Sequence, residues 1–291
     1  MLETVRVLLD RAVDYAGLFP PSNLSIAKAI ENFRGYAAGP ENWMLGRFVV
    51  PVERLNELET AALQTPLPAG CLASVLTGED VPAAIPAILA FNAHVRDIQI
   101  DSIEARVPED PRAIGALAGA VPNGFVLYWE VPFDSDLAPA LEAIAQSKGL
   151  AKIRTGGIRP DKFPSVEQAA RFICECDRAR VPFKATAGLH HAVRGSQRLT
   201  YDADSESCVM HGFLNLLLAC AFQWNGLTEQ ETAELLGESI EAFRFSRKGV
   251  AWKHHWIGAE QIRSARERLI LSFGSCSFDE PVSELRRSGL L

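Results

Sequence analysis

The chain has 291 residues, 48% of them apolar and 22% charged, with 36 acidic against 29 basic residues and a net charge of -7. The length favours one large domain or two small ones, and the composition supplies a large core while arguing against disorder or a fibrous repeat. The acidic balance removes the electrostatic basis for a nonspecific hold on nucleic acid or on an anionic membrane surface, so neither is expected as a partner.

No stretch reaches the roughly 18 uninterrupted apolar residues of a membrane span. Even Phe213 to Trp224 is broken by Asn215 and Gln223. The first ten residues carry Glu3, Arg6 and Asp10, unlike a signal peptide, which makes a cytoplasmic location the expectation. Six cysteines are too sparse for a disulfide scaffold. Cys174 and Cys176, two apart on a predicted helix, point in different directions and read as reduced thiols.

In chain order, strand-length apolar or β-branched runs occur at Ala16 to Phe19, Gly46 to Val50, Cys71 to Leu76, Asp97 to Ile103, Phe125 to Val131, Leu150 to Thr155, Pro182 to Ala187 and Cys208 to Phe213. From the second onward their starts lie 25 to 32 residues apart, close to the length of one strand, loop, helix and loop. Between them, Ser25 to Tyr36, Glu53 to Leu63, Pro82 to His94, Asp110 to Gly119, Asp136 to Lys148 and Ser165 to Arg178 carry apolar residues at three and four spacing. Ser165 with Gln168 forms a capping box, and so does Thr228 with Glu231. The alternation predicts a parallel sheet covered by helices, and eight units in 225 residues fit a closed (β/α)8 barrel better than an open doubly wound sheet. Residues 1–225 are therefore expected to form the barrel and residues 226–291 a helical extension packed on it. In that extension Ala259 to Ser272 reads as one amphipathic helix, and Ser277 caps a last short one.

Alternate residues of a barrel strand face the helices and the axis, and the helix-facing set should be apolar. This phase sends Gln99 and Asp101 inward on the fourth strand, Val126, Tyr128 and Glu130 on the fifth, Lys152 and Arg154 on the sixth, and Lys184 and Thr186 on the seventh. Barrel interiors are ordinarily filled with branched apolar side chains, so charges on successive strands point to chemistry at the carboxyl ends of the strands. A structural salt-bridge network is the competing explanation. Lys152 and Lys184, one β/α unit apart, should meet at the same mouth. A neighbouring like charge and partial burial depress a lysine pKa, so one amine becomes a nucleophile for a carbonyl carbon while the other keeps it deprotonated. Asp101 and Glu130 are the acids placed to move protons.

Lys152-x-x-Thr155-Gly156 on the sixth strand and Lys184-Ala185-x-x-Gly188 on the seventh resemble the two lysine strands of deoxyribose-phosphate aldolase and related class I, Schiff-base aldolases. The resemblance spans about 40 of the 291 residues. It implies a (β/α)8 barrel, a Schiff-base lysine at Lys152, a pKa-perturbing lysine at Lys184 and a proton-relaying acid for which Asp101 is the nearest candidate. The family's phosphate loops after strands seven and eight have no counterpart here, where Leu189-His190-His191 follows the seventh strand, so a phosphorylated sugar is not implied.

Gly156-Gly157 could cradle an anion through backbone N–H groups or simply form a tight turn, and Arg154 and Arg159 beside it favour a carboxylate or phosphate. Thr155, Thr186, His190, His191 and Asn215 complete the expected substrate-binding set. His190, His191 and His211 are the alternative, as metal ligands joined by Asp101 or Glu130. Cys208, Cys220 and Cys276 have no evident base in the sequence to activate them as nucleophiles, and Cys276, just before the last helix, is the one to test. With the first strand at Ala16 to Phe19, Phe19 and Pro20-Pro21 would form a wall of the mouth, although a stiff connection is the commoner explanation. The leading expectation is a lyase or aldolase without a cofactor, acting on a small anionic metabolite. A metal-dependent hydrolase or isomerase and a noncatalytic anion-binding barrel are the alternatives.

Overall fold

The computed structural model describes residues 1–291. Eight parallel strands close into a barrel: β1 (Val13–Tyr15), β2 (Leu45–Pro51), β3 (Cys71–Gly78), β4 (Ile98–Arg106), β5 (Val126–Glu130), β6 (Leu150–Arg154), β7 (Phe183–Thr186) and a last strand, Ile270–Ser275, seated between β7 and β1. The helices of the repeat follow in order: α1 (Glu3–Leu9) precedes β1, then α2 (Ile26–Ala38), α3 (Leu55–Gln64), α4 (Val81–His94), α5 (Ile114–Gly119), α6 (Leu137–Gln146) and α7 (Val166–Ala179) alternate with the strands. Their starts are chemically marked. Ser25, Asp80 and Asp136 accept backbone N–H groups of the first turn, and the Ser165–Gln168 capping box forms in both directions. The apolar faces of these helices join the strands in one continuous core.

The closure differs from the sequence expectation at both ends of the chain. The first strand is Val13–Tyr15, and Ala16 to Phe19 is the loop that follows it. The run expected as the eighth strand splits in two. Ser207–Met210 is β9, which pairs with β8 (Gly195–Arg198) as an antiparallel hairpin, and Phe213 opens α8 (Phe213–Trp224). The strand propensity at Cys208 to Met210 was real, but it serves a half-exposed hairpin rather than the barrel.

The boundary at residue 225 is therefore corrected, because the barrel is completed only by Ile270–Ser275. That segment was concealed in the sequence. Its apolar residues run on from α10 (Ala259–Arg268) with no glycine or proline between them, so helix and strand read as one element. Nor is the extension purely helical. Besides α9 (Glu229–Leu236), α10 and α11 (Asp279–Arg287), it contains an antiparallel sheet of β10 (Phe243–Phe245), β11 (Gly249–Trp252) and β12 (His255–Gly258); the closing barrel strand is thus β13. Eleven of the twelve residues of α8 are buried, which explains its nearly unbroken apolar sequence without a membrane. No helix is long and apolar enough to cross one.

Candidate active site at the carboxyl ends of the strands

A β-bulge decides which acid of β4 reaches the centre. Ala73 pairs with Ile100 but Ser74 pairs with Ser102, so Asp101 is the extra residue and the inward phase shifts by one. Beyond the bulge Ser102 and Glu104 face the axis. Asp101 is held by both ends of the Arg47 guanidinium at 2.6 Å. Arg47 lies two residues before Val49, a cavity-lining residue, and therefore on the same strand face but one layer toward the amino-terminal ends. Asp101 is thus an inward acid placed below the mouth, and Glu104 takes the place beside the lysines that Asp101 was expected to hold.

Glu104 bridges the two lysines. Its Oε2 receives Lys152 Nζ at 3.0 Å, its Oε1 receives Lys184 Nζ at 2.7 Å, and a chain from Ser102 Oγ to Ser74 Oγ to Glu104 Oε1 satisfies the remaining lone pair. Lys152 also meets Glu130 Oε2 at 2.9 Å. Lys184 binds Asp14, an inward residue of β1 not anticipated from the sequence, and lies 5.1 Å from the centre of the Tyr128 ring. Asp14 is fixed in turn by Ser272 Oγ and by the backbone N–H of Arg47, both at 2.8 Å. Lys152 and Lys184 stand directly opposite each other across β6 and β7, as the strand phase requires.

Convergence of the lysines is therefore present, and Lys184 is the charged partner it was expected to be, but acids enclose that charge and it is not left facing Lys152 alone. Burial opposes the charge of Lys184, yet Asp14 and Glu104 outweigh it and raise its pKa above the ordinary lysine value. Burial likewise opposes the charge of Glu104, and Lys184 and Lys152 hold its carboxyl well below the usual range. Burial pushes the Tyr128 hydroxyl up to about 12. Two ammonium groups thus face three carboxylates, Asp14, Glu104 and Glu130. Lys184 is 0% exposed, whereas Lys152 and Glu104 reach the wall of the mouth cavity, which has a volume of about 190 Å³.

Arg154, Gly157, Thr186, His190 and His191 also line this cavity, and Phe19, Pro20 and Pro21 form part of its wall although they belong to the loop after β1 and not to the first strand. Thr155 and Asn215 do not. Thr155 Oγ1 donates to Ala187 O at 2.7 Å, tying the ends of β6 and β7 together. Asn215, buried on α8, accepts from Arg194 N and donates to Leu235 O and Glu238 O, because an amide inside an apolar helix must find partners on the adjoining segments. Gly156 is needed for close approach, since a Cβ there would sit 2.8 Å from Gly188 Cα and 2.6 Å from the Phe163 ring.

The histidines do not form one ligand set. His190 Nδ1 meets Ser275 Oγ at 3.1 Å, His191 Nδ1 meets Glu284 Oε1 at 2.7 Å, and His211 Nε2 donates to Pro164 O at 2.7 Å. The three potential ligand residues whose atoms lie within 4.8 Å of one another are Glu231, His254 and His255, none of which lines the mouth. The expected Asp101 ligand is committed to Arg47, and Glu130 to Lys152.

His190 instead stands beside Cys276, with Sγ 3.5 Å from its Nδ1, and 3.7 Å from Glu280. Burial, with a smaller effect of His191, pushes the His190 pKa down to about 4, and burial raises both the Cys276 thiol and the Glu280 carboxyl. The imidazole and thiol are thus neutral partners near pH 7, not an activated thiolate pair. All six cysteines are free.

Four contributors escaped the sequence reading. Asp14 and Glu104 are single acids between apolar neighbours, Val13-Asp14-Tyr15 and Ile103-Glu104-Ala105, a local signal that strand phase alone did not use. Arg198 lies on the hairpin, and Glu280 becomes a mouth residue only because α11 follows β13. No family model and no curated protein matches the chain.

Proposed function

We propose that the protein is a carbonyl-processing enzyme of the lyase or aldolase type that forms a Schiff base between Lys152 and a small anionic aldehyde or ketone. The observation that carries this reading is a lysine at the wall of the mouth cavity with two carboxylates on its Nζ, beside a second lysine that is fully enclosed. Barrel enzymes place their chemistry at this face.

Glu130, at 2.9 Å, takes a proton from the Lys152 ammonium. The free amine then attacks the carbonyl carbon and a C–N bond forms; the hydroxyl of the resulting carbinolamine takes the proton back from Glu130 and leaves as water, giving an iminium ion. Glu104 keeps its negative charge because Lys184 and Lys152 hold it ionised, and from 3.0 Å it stabilises the positive nitrogen. The iminium accepts the electron pair of the neighbouring Cα–H or Cα–Cβ bond as that bond breaks to give an enamine; Glu130 takes the released proton, from Cα in the first case and from the β-hydroxyl in the second, where the other fragment leaves as an aldehyde. Lys184 acts as a positioning residue, a permanent cation that orients Glu104 and Asp14.

Borohydride reduction in the presence of candidate aldehydes and 2-oxo acids, followed by peptide mass spectrometry, tests the proposal. The expected result is a reduced adduct at Lys152 that disappears in Lys152→Met. No adduct with any carbonyl compound, together with retained anion binding, would leave the noncatalytic barrel as the better reading.

A further inference from the structure

We infer that the mouth cavity selects a short carbonyl compound with a hydrocarbon body and a terminal anionic group clamped between Arg154 and Arg198, in preference to a polyhydroxylated compound of the same length. The position of the carbonyl rests on the Lys152 reading; the clamp and the apolar body do not.

Both arginines line the cavity and neither has a carboxylate partner in the protein. Their neighbours differ in this respect, since Arg47 is committed to Asp101 and Arg159 to Asp161. A guanidinium fork at the edge of a cavity is matched by a carboxylate or a phosphate. Arg154 reaches the cavity from the end of β6 and Arg198 from the hairpin that covers it. The loop joining the two strands of that hairpin carries Tyr201, whose hydroxyl lies 3.7 Å from Cys276 Sγ just beyond β13. Two possible opponents of an anion are weakened. Glu104 is compensated by both lysines, and burial raises the pKa of Glu280.

Size and lining define the rest of the ligand. Arg154 is two residues beyond Lys152 on the same strand face, about 7 Å along the strand, which suits a short separation between carbonyl and anion. The cavity, about 190 Å³, is below the usual range for drug-sized ligands. Phe19, Pro21, Val49, Leu76, Leu199 and Met210 supply wall that offers no side-chain hydrogen bond. A hydroxyl pressed against such a wall loses water without replacement, a penalty of about tenfold in affinity for each unmet group.

Calorimetric titration of the full chain with carbonyl-free probes tests this apart from any Schiff base. Hexanoate and gluconate are six-carbon carboxylates that differ in hydroxylation, and hexyl phosphate distinguishes a phosphate from a carboxylate preference. Hexanoate or hexyl phosphate should bind at least tenfold more tightly than gluconate. Arg154→Gln and Arg198→Gln should each weaken that binding at least tenfold, while Arg159→Gln leaves it unchanged. Gluconate binding as tightly as hexanoate, failure of all three probes to bind, or binding indifferent to Arg154 and Arg198 would overturn the inference. A borohydride adduct at Lys152 without arginine dependence removes the clamp alone. Arginine-dependent binding without an adduct removes the Schiff base alone.

Discussion

In the floor of the mouth cavity, Lys152 and Lys184 meet Glu104 and Glu130 at 2.7 to 3.0 Å, with Asp14 closing the network, whereas at the rim Arg154 and Arg198 meet no carboxylate at all. The floor is mostly buried and internally compensated, with Lys184 and Asp14 fully enclosed, so folding sets its geometry. The rim is open and uncompensated, so its charges are available to a ligand. Breaking a buried ion network leaves a stranded charge, while removing a solvated cation leaves nothing unpaired. That difference separates the enclosed ion network, which holds the site in shape, from the two arginines of the proposed clamp.

The sharpest way to break this comparison is Lys184→Met. It strands Asp14 and Glu104 in an enclosed interior, and the expected loss is about 3–5 kcal/mol in urea unfolding. A loss below about 1 kcal/mol would show that the floor is solvated and does not differ from the rim in kind.

His190, at the junction of the two regions, gives a pH signature. Its folded pKa is depressed to about 4 from an unfolded value near 6.5, so the unfolded chain takes up the proton first as pH falls. Its contribution to stability is fully present above about pH 6.5 and is lost progressively toward pH 4, by about 3 kcal/mol in total. The variant H190N should lack that segment of the stability profile. Parallel profiles for the two proteins would mean that the imidazole is not held neutral by its surroundings.

The smallest effect is expected at the rim. Arg198→Gln should change unfolding free energy by no more than about 0.5 kcal/mol, because the side chain is exposed and has no ion-pair partner. A larger loss would make Arg198 part of the scaffold rather than of the ligand clamp.

The repeat of strands and helices, the capping boxes and the inward phase of β5, β6 and β7 were all readable in the sequence, because each depends on residues within a few positions of one another. Lys152, Arg154, Lys184 and Thr186 point where alternation puts them. What alternation could not supply was the bulge at Asp101, a property of the pairing between β3 and β4. It moved the central acid from Asp101 to Glu104. Closure by β13 was hidden for a related reason: a strand continuing directly from an amphipathic helix carries no punctuation, and only the gap between β7 and β1 requires it.

Sequence by itself determined the alternating elements and the presence of unusual interior charge, since periodicity and local capping are short-range. Tertiary structure alone decided which charges neutralise one another, because Asp14, Glu104 and Lys184 come from β1, β4 and β7 and meet only when the sheet has closed on itself. The sign of each pKa shift follows from that meeting, for it depends on the net charge enclosed around a group and not on the residues beside it in the chain.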